Sequence, residues 1–453
     1  MIILGGGISG LSLRYFLRKN HPDMEITLLE KNHVVGGLLQ TTTDAPYFFE
    51  RGARTFKASR SKPLLTLLED LGMLDQIVLS DPISSSRFIW KNNTLHKLPN
   101  HPLALITSKL ITPLFFPFLK EWRISPSLLP DESIYEFVTR RFSTYMAETF
   151  FDPLTLGIYA GDIKKLSIKS CFPFLKELEV RYGSITKGML KKKRRSTNFP
   201  VPKMKGSSLF TLKNGLNDLI EALAKKDRGE ILTNSKVEKV NFIDQKVQVH
   251  FNGRSMEADH LFCALPCREA ALLFHDEKVS SFFSKIETVG LAVVNIGFKE
   301  DCLPCNGFGY LIPSGEKDEV LGVVFDSKIF PSQNQNFSET RVSVMIGGAF
   351  HPETLKKSKE ECARIALHAL KSHLKIDELA DYVNVTKYPQ TIPQYHVGHI
   401  NRVEELENFL EANYPQVTLL GNYLHGVAVN DCIAIAQKKA INFIVARSSN
   451  LVN

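Results

Sequence analysis

Met1-Ile-Ile-Leu-Gly5-Gly6-Gly7-Ile-Ser9-Gly10 decides the fold: an apolar run of buried-strand length enters Gly5-x-Gly7-x-x-Gly10 with no residue between. Each glycine answers a separate demand of a phosphate-binding turn. Gly5 supplies the tight turn, Gly7 lets the backbone approach a pyrophosphate, and Gly10 lets the next helix lie close on the strand. The spacing predicts that helix from Leu11 to Lys19, with its free N–H groups and positive dipole end aimed at the phosphates. A second strand, Glu25-Ile-Thr-Leu-Leu-Glu30, ends on a carboxylate twenty residues after Gly10, where a ribose diol is gripped. Glu30 disfavours a 2′-phosphate, so the phosphorylated nicotinamide cofactor is not expected here. A structural turn beside a surface glutamate is the bland alternative, and the strand–turn–helix–strand context outweighs it.

At 453 residues the chain is too long for one ordinary core, and two or three domains are expected. The formal net charge of +8 suits an anionic partner, a polycarboxylate or an acidic membrane surface, as readily as a scaffold with spare lysines. Its densest run, Lys191-Lys-Lys-Arg-Arg195, reads first as a solvated loop and second as a membrane-surface or nucleic-acid patch; no nucleic-acid partner is expected. The seven cysteines are scattered and odd in number, which favours a reducing compartment. Cys302-x-x-Cys305 has no second pair or histidine pair beside it and is taken as incidental, so no metal is expected. No apolar run reaches spanning length, and the strand at Ile2 leaves no room for a signal or transit peptide. A cytoplasmic protein is the expectation.

Residues 1–80 read as strand, helix, strand and a further amphipathic helix from Leu64 to Leu74. Composition then shifts. Leu110-Ile-Thr-Pro-Leu-Phe-Phe-Pro-Phe-Leu-Lys-Glu-Trp122 is greasy, and Pro113 and Pro117 are expected to break a helix there. The stretch either lines an internal apolar pocket or dips into one membrane leaflet. Helical spacing continues from Ser133 to Phe150. Strands are expected from Thr233 to Phe242, Lys246 to Phe251, Ala258 to Pro266, Val289 to Phe298, Gly307 to Ile312, Glu319 to Phe325 and Arg341 to Gly347, and a helix from Leu355 to Ser372. Thr418-Leu-Leu-Gly421 then reads as strand and glycine turn, and Gly426 opens a helix from Cys432 to Phe443, with Asn430 or Asp431 as its N-cap. That helix terminus points inward and would stabilise negative charge on a bound cofactor.

Glu30-x5-Gly36-Gly37, with Phe49-Glu50-Arg51-Gly52-Ala53-Arg54-Thr55-Phe56, resembles the flavin-binding pattern of the amine oxidase and phytoene desaturase superfamily. Further blocks narrow the resemblance. Ser86-Arg-Phe-Ile-Trp90 with Leu95-His-Lys-Leu-Pro99, Gly157-Ile-Tyr-Ala-Gly161, Leu166-Ser-Ile-Lys-Ser-Cys-Phe-Pro173, Gly307-Phe-Gly-Tyr-Leu-Ile-Pro313, Val344-Met-Ile-Gly-Gly348, Ile392-Pro-Gln-Tyr-His396 and Gly426-Val-Ala-Val-Asn-Asp-Cys432 resemble the oxygen-dependent protoporphyrinogen oxidase family across nearly the whole chain.

The resemblance implies an α/β + α architecture: a Rossmann-like FAD-binding domain (1–80, 205–270, 405–453), an antiparallel-sheet substrate domain (81–94, 271–404) and a helical, membrane-facing insertion (95–204). By the same resemblance FAD is the cofactor. It would be held by Gly5, Gly6, Gly7, Ser9, Gly10, Glu30, Lys31, Gly36, Gly37, Gly52, Ala53, Arg54, Val237, Gly421, Val427, Ala428 and Val429. Gly157, Phe308, Leu311 and Met345 would line a tetrapyrrole pocket. Some members carry an arginine after the Leu-Pro of the Leu95 block as a propionate grip. Pro99-Asn-His-Pro-Leu103 has none, leaving His101, Lys97 or Lys109 as candidates. Peripheral association with the inner membrane face and a homodimer are compatible partners.

In this reading a porphyrinogen gives up bridge hydrogens to the flavin and dioxygen takes them on as hydrogen peroxide. The protein's task is then placement and exclusion, and no catalytic side chain is expected. A coproporphyrinogen oxidase is the nearest alternative. A flavin amine oxidase would need a pocket suited to a cation, a carotenoid desaturase is favoured only by the greasy segment, and a flavin-fold scaffold of the Rab-escort kind would need no flavin.

Overall fold

The computed structural model describes residues 1–42, 46–99, 108, 110–191, 199–226 and 230–450. Strand Ile2–Leu4 is the centre of a five-stranded parallel sheet, ordered Glu230–Leu232, Thr27–Leu29, Ile2–Leu4, Leu261–Cys263, Val417–Leu419. Covered on both faces, such strands are apolar throughout, and their side chains divide by parity. Ile3, Leu28 and Phe262 enter a core beneath helices Ile8–Asn20, Lys62–Asp70, Asn217–Lys225 and Val429–Asn450. Ile2, Leu4, Leu29, Leu261 and Cys263 enter a second core, shared with the antiparallel strands Val237–Ile243, Lys246–Phe251 and Arg254–Ala258.

A seven-stranded sheet lies beside it, ordered Tyr382–Pro393, Thr288–Phe298, Thr340–Gly347, Val320–Val324, Gly309–Leu311, Phe88–Lys91, Thr94–Lys97. Its neighbours pair antiparallel, apart from Gly309–Leu311 with Phe88–Lys91. Val342, Val344 and Ile346 pack with Ala292, Val294 and Ile296 under helix Lys359–Leu374. By alternation Ser343 and Met345 face the opposite way.

Several boundaries differ from expectation for local reasons. The strand expected from Thr233 starts at Val237, because residues 230–232 join the parallel sheet and Asn234 turns at φ 52°. The helix from Leu64 stops at Asp70, where Gly72 at φ +73° terminates it and a 3₁₀ turn, Leu74–Gln76, follows. The helix expected from Leu355 is two elements, a 3₁₀ turn Pro352–Lys356 and the helix Lys359–Leu374. Ser358 and Glu361 form a capping box that sets the start of the second. The C-terminal helix begins at Val429, so Asn430 and Asp431 lie in its first turn and neither is its N-cap. Instead Asp431 reaches back to accept from the Ala428 N–H at 3.3 Å, and Asn430 accepts from Leu64 N–H at 3.2 Å.

Residues 110–191 are helical. Helix Ile134–Arg141 ends at Phe142, which interrupts the continuous spacing expected there; Thr144–Met146, a π turn Ala147–Phe151 and helix Asp152–Tyr159 follow. Pro117 does not break helix Phe115–Glu121. It is the third residue, where an N–H has no intrahelical partner to lose. Nor does this helix line an internal pocket: Phe115 is 64% exposed, Phe116 70%, Leu119 60% and Trp122 51%. Glu121 turns the other way and is fully buried, accepting from Arg141 Nη1 at 3.3 Å and Ile185 N at 2.8 Å. Arg141 also pairs with Glu179 at 2.7 Å, and Lys176 with Glu179 at 2.8 Å and Glu132 at 3.1 Å. The Lys192–Arg195 part of the basic run lies outside the described residues.

Candidate active site

Gly5 turns at φ +99°, and its N–H donates to Leu29 O at 2.8 Å, tying the turn to the neighbouring strand. Gly10 is forced by packing: a Cβ there would lie 2.0 Å from Gly5 O. At Gly7 the opposite holds. A Cβ would meet only Gly37 Cα, at 4.0 Å, so the outer side of the turn is open space. Gly7 precedes the helix Ile8–Asn20 with no side-chain cap, leaving that terminus to a ligand. Glu30 is buried, its Oε2 accepting from Gly6 N–H at 2.8 Å and its Oε1 from Asn32 N–H at 2.9 Å. A carboxylate thus sits beside the turn, at the end of the second strand.

Gly36 and Gly37 close against this turn. Gly36 N–H donates to Gly6 O at 2.8 Å and the two glycine segments form a short parallel bridge, Gly7 to Gly36. Gly52 fits against Leu38 O, where a Cβ would be 2.3 Å away. Arg54 Nη1 pairs with Asp326 Oδ1 at 3.2 Å, joining this segment to the seven-stranded sheet, and Ser343 Oγ donates to the same aspartate at 2.7 Å. At the other end of the chain Gly421 turns at φ +142°. Val429 and Ile433 pack in the core that holds Leu11 and Leu13, so the first turns of the N- and C-terminal helices lie together, and Ser9 hydrogen-bonds the Cys432 thiol. Val427 packs on the Tyr159 and Tyr395 cluster and Ala428 is exposed. On the far side of Glu30, Lys31 and Val237 share the wall of a cavity of about 360 Å³ with Leu29 and Leu265. Lys31 itself pairs with Glu269 at 3.0 Å.

The residues expected to line a pocket form a second group. Leu311 pairs with Gly322 and Gly322 with Met345, a row across three strands. Gly157 is exposed on helix Asp152–Tyr159 and faces Leu311, whose Cδ2 would be 2.9 Å from a Cβ there. Phe308 packs with Met345 against Val324, Ile329 and Phe330. Of the candidate anion grips, His101 and Lys109 lie outside the described residues, and Lys97 ends the edge strand Thr94–Lys97, exposed. Cys302 and Cys305 are both free thiols. Among the described residues no cluster of histidine, cysteine or carboxylate could hold a metal.

Two residues escaped the sequence reading. Asp326, just past strand Val320–Val324, holds Arg54. Glu50 is buried, accepts from Thr41 Oγ1 at 3.1 Å and from Leu216 N–H at 2.8 Å, and burial pushes its carboxyl up to about 7. An unfolded chain ionises this group near the ordinary 4.5, the folded chain near 7, so between them the folded state keeps a proton the unfolded state has lost. Rising pH across that window therefore favours unfolding. The stability of the wild type relative to Glu50→Gln, which keeps an acceptor for Leu216, is expected to fall as pH rises from about 4.5 to about 7. Urea unfolding at a series of pH values measures it, and a pH-independent difference would contradict the assignment.

The pattern of the flavin containing amine oxidoreductases matches residues 8–440. The human protoporphyrinogen oxidase is 32% identical to this chain over 98% of each. The coproporphyrinogen III oxidase of Bacillus subtilis is 29% identical, over 96% of this chain and 95% of its own. A solved structure from Exiguobacterium sp. 255-15 superposes with a TM-score of 0.85 at 23% identity, covering 98% of both chains, and shows the same mixed helix-and-sheet fold. The open side of Gly7, the carboxylate of Glu30 and the abutting Gly36–Gly37 turn fit FAD, which is the cofactor. The chain belongs to the flavin containing amine oxidoreductase family, an oxidoreductase by descent.

Proposed function

We propose that this protein oxidises protoporphyrinogen IX to protoporphyrin IX, with dioxygen as acceptor and hydrogen peroxide as by-product. One observation carries the reading: the residues expected around the substrate, Gly157, Phe308, Leu311 and Met345, are uncharged, while Arg87 stands over the Phe308 ring at 5.0 Å. An apolar interior with a cationic edge suits a greasy macrocycle bearing carboxylates and does not suit a cationic amine.

We propose this division of labour. Residues 1–80, 205–270 and 405–453 serve as a Rossmann-like FAD-binding unit, 81–97 and 271–404 as the substrate unit, and 98–204 as the membrane-facing one, the boundary expected at 94 moving to 97 because the strand Thr94–Lys97 pairs with Phe88–Lys91. Gly5, Gly6, Gly7, Ser9 and Gly10 take the pyrophosphate, Glu30 the ribose, and Lys31 and Val237 the adenine end. Gly36, Gly37, Gly52, Ala53, Arg54, Gly421 and the Val427–Val429 turn surround the remainder. Bound FAD supplies a two-electron acceptor that dioxygen regenerates. The side chains place the substrate and exclude water; aromatisation of the macrocycle supplies the driving force, so no acid–base set is required.

Gly7→Val would fill the open side of the turn and is expected to abolish flavin binding. Glu30→Ala is expected to weaken it by about 1–3 kcal/mol, the cost of leaving buried donors unmatched. Flavin absorbance per protein reads both, and full retention of flavin in Gly7→Val would refute the cradle.

Coproporphyrinogen carries two more carboxylates than protoporphyrinogen, and burying them beside uncharged residues is costly. We expect kcat/KM to favour protoporphyrinogen by at least about tenfold. Porphyrin fluorescence with both substrates measures this, and a preference for coproporphyrinogen would assign the chain to the activity named for the Bacillus relative.

The protein also works as a peripheral membrane protein on the cytoplasmic face. No helix of the described residues is long and apolar enough to cross a membrane. The face carrying Phe115, Phe116, Leu119 and Trp122 is instead exposed, with Met189 and Leu190 exposed on a neighbouring helix and Lys187 over the Trp122 ring at 5.9 Å. Rings and basic groups on one face suit an acidic lipid surface. Of the two tryptophans, Trp90 is buried, so Trp122 reports. Its emission should shift to the blue on acidic vesicles, and Phe115→Ser with Phe116→Ser should remove sedimentation with them. Unaltered emission and no sedimentation would refute membrane docking.

A further inference from the structure

Arg87 has no carboxylate within ion-pair distance among the described residues, and its one side-chain hydrogen bond is a donation to Ser85 O at 3.3 Å. It immediately precedes strand Phe88–Lys91 and is solvent-exposed. Phe308 N–H donates to Ser86 O at 2.8 Å, so the backbone itself fixes the two side chains beside each other. Phe308 in turn packs with Met345, which pairs through Gly322 to Leu311. The guanidinium therefore stands at the edge of the apolar group, just ahead of the paired strands Phe88–Lys91 and Gly309–Leu311.

Two further cations belong to the same rim. Lys57 closes the short strand Phe56–Lys57, and Arg60 ends the 3₁₀ turn Ala58–Arg60 that follows. Burial holds the Lys57 ammonium below the usual lysine range, and repulsion from Arg60 and then Arg87 adds to this. Arg60 also acts on Asp431, at the start of the C-terminal helix, where it opposes the burial that raises that carboxyl. Neither Lys57 nor Arg60 has an ion-pair partner among the described residues. The Lys57 ammonium feels the repulsion of both arginines, and an anion held beside it and Arg87 reverses the sign of that interaction.

We propose that Arg87 grips a carboxylate of the porphyrinogen substrate, with Lys57 and Arg60 supplying the surrounding positive field. The proposal rests on the porphyrinogen reading above and adds to it the anchor that the sequence left among His101, Lys97 and Lys109. A planar guanidinium offers a carboxylate two parallel N–H bonds, and its second face remains stacked on Phe308.

The test uses the flavin-loaded enzyme with two substrates, protoporphyrinogen IX and its dimethyl ester, which has the same macrocycle and no carboxylate. The measured quantity is the ratio of kcat/KM for the diacid to that for the ester. In Arg87→Gln this ratio is expected to fall about tenfold or more, chiefly through KM of the diacid. Arg87→Lys should retain most of it, and Lys57→Gln should lower it by less. An unchanged ratio in both Arg87→Gln and Lys57→Gln would overturn the assignment, because a merely structural role affects acid and ester alike. Wild-type enzyme that oxidises neither substrate would overturn the porphyrinogen reading itself, and this inference with it.

Discussion

Everything at the nucleotide site depends on how closely one helix lies on one strand. With 2.0 Å between a built Gly10 Cβ and Gly5 O, any side chain at Gly10 would lift the helix Ile8–Asn20 from the sheet. The lift would carry the uncapped helix terminus away from the end of strand Ile2–Leu4, and with it the open side of Gly7. The same helix packs against the C-terminal helix, through Leu11 and Leu13 on one side and Val429 and Ile433 on the other. Residues more than four hundred positions apart in the chain are therefore set by one close contact. Such a site forms only when distant segments meet, which is entropically costly, and the cofactor's own binding helps to offset that cost.

A second constraint places the greasy face. Glu121, Arg141, Glu179, Lys176 and Glu132 form a buried charged network in which every carboxylate has cationic or N–H partners. Buried charges of this kind contribute little net stability, but an unpaired one is very costly. Helix Phe115–Glu121 therefore cannot rotate to hide its rings without pulling Glu121 out of the network. Exposure of Phe115 and Phe116 is thus imposed by the opposite face of the same helix. A mutation that merely frees this helix would be expected to let the rings collapse inward.

Local signals in the sequence were the legible ones. The glycine fingerprint and the strands Lys246–Phe251 and Thr340–Gly347, the latter expected to start one residue later, could be read directly, since each depends on neighbours in sequence. What escaped depends on tertiary context. Glu230–Leu232 is too short and too polar at its first residue to announce a strand, and pairs only because Thr27–Leu29 offers a free edge. Pro117 read as a helix breaker because its distance from the helix start is invisible without the preceding turn. Arg87 sat inside a recognised block, yet nothing in the sequence says that Ser86 O will meet Phe308 N–H. Asp326 and Glu50 were missed for the same reason: their partners, Arg54 and Leu216, are remote in sequence.

Glu50 shows how the segments around the nucleotide turn are tied to one another. Gly215 is restricted there, since a Cβ would lie 2.3 Å from Thr41 Oγ1 and 2.8 Å from Glu50 Oε1. The carboxyl can then reach Leu216 N–H and so bind the short strands Thr41–Thr42 and Phe49–Glu50 to the segment leading into helix Asn217–Lys225. The nearest cation, Arg54, is already engaged by Asp326, so its pull on Glu50 ranks below burial, the Leu216 N–H and the Thr41 hydroxyl. Burial is what holds the Glu50 carboxyl well above the usual carboxylate range, and Arg54, engaged by Asp326, offsets little of it. One arginine thus couples the segment after the Gly36–Gly37 turn to the seven-stranded sheet, through Asp326 and Ser343, while burial sets the state of the acid beside it.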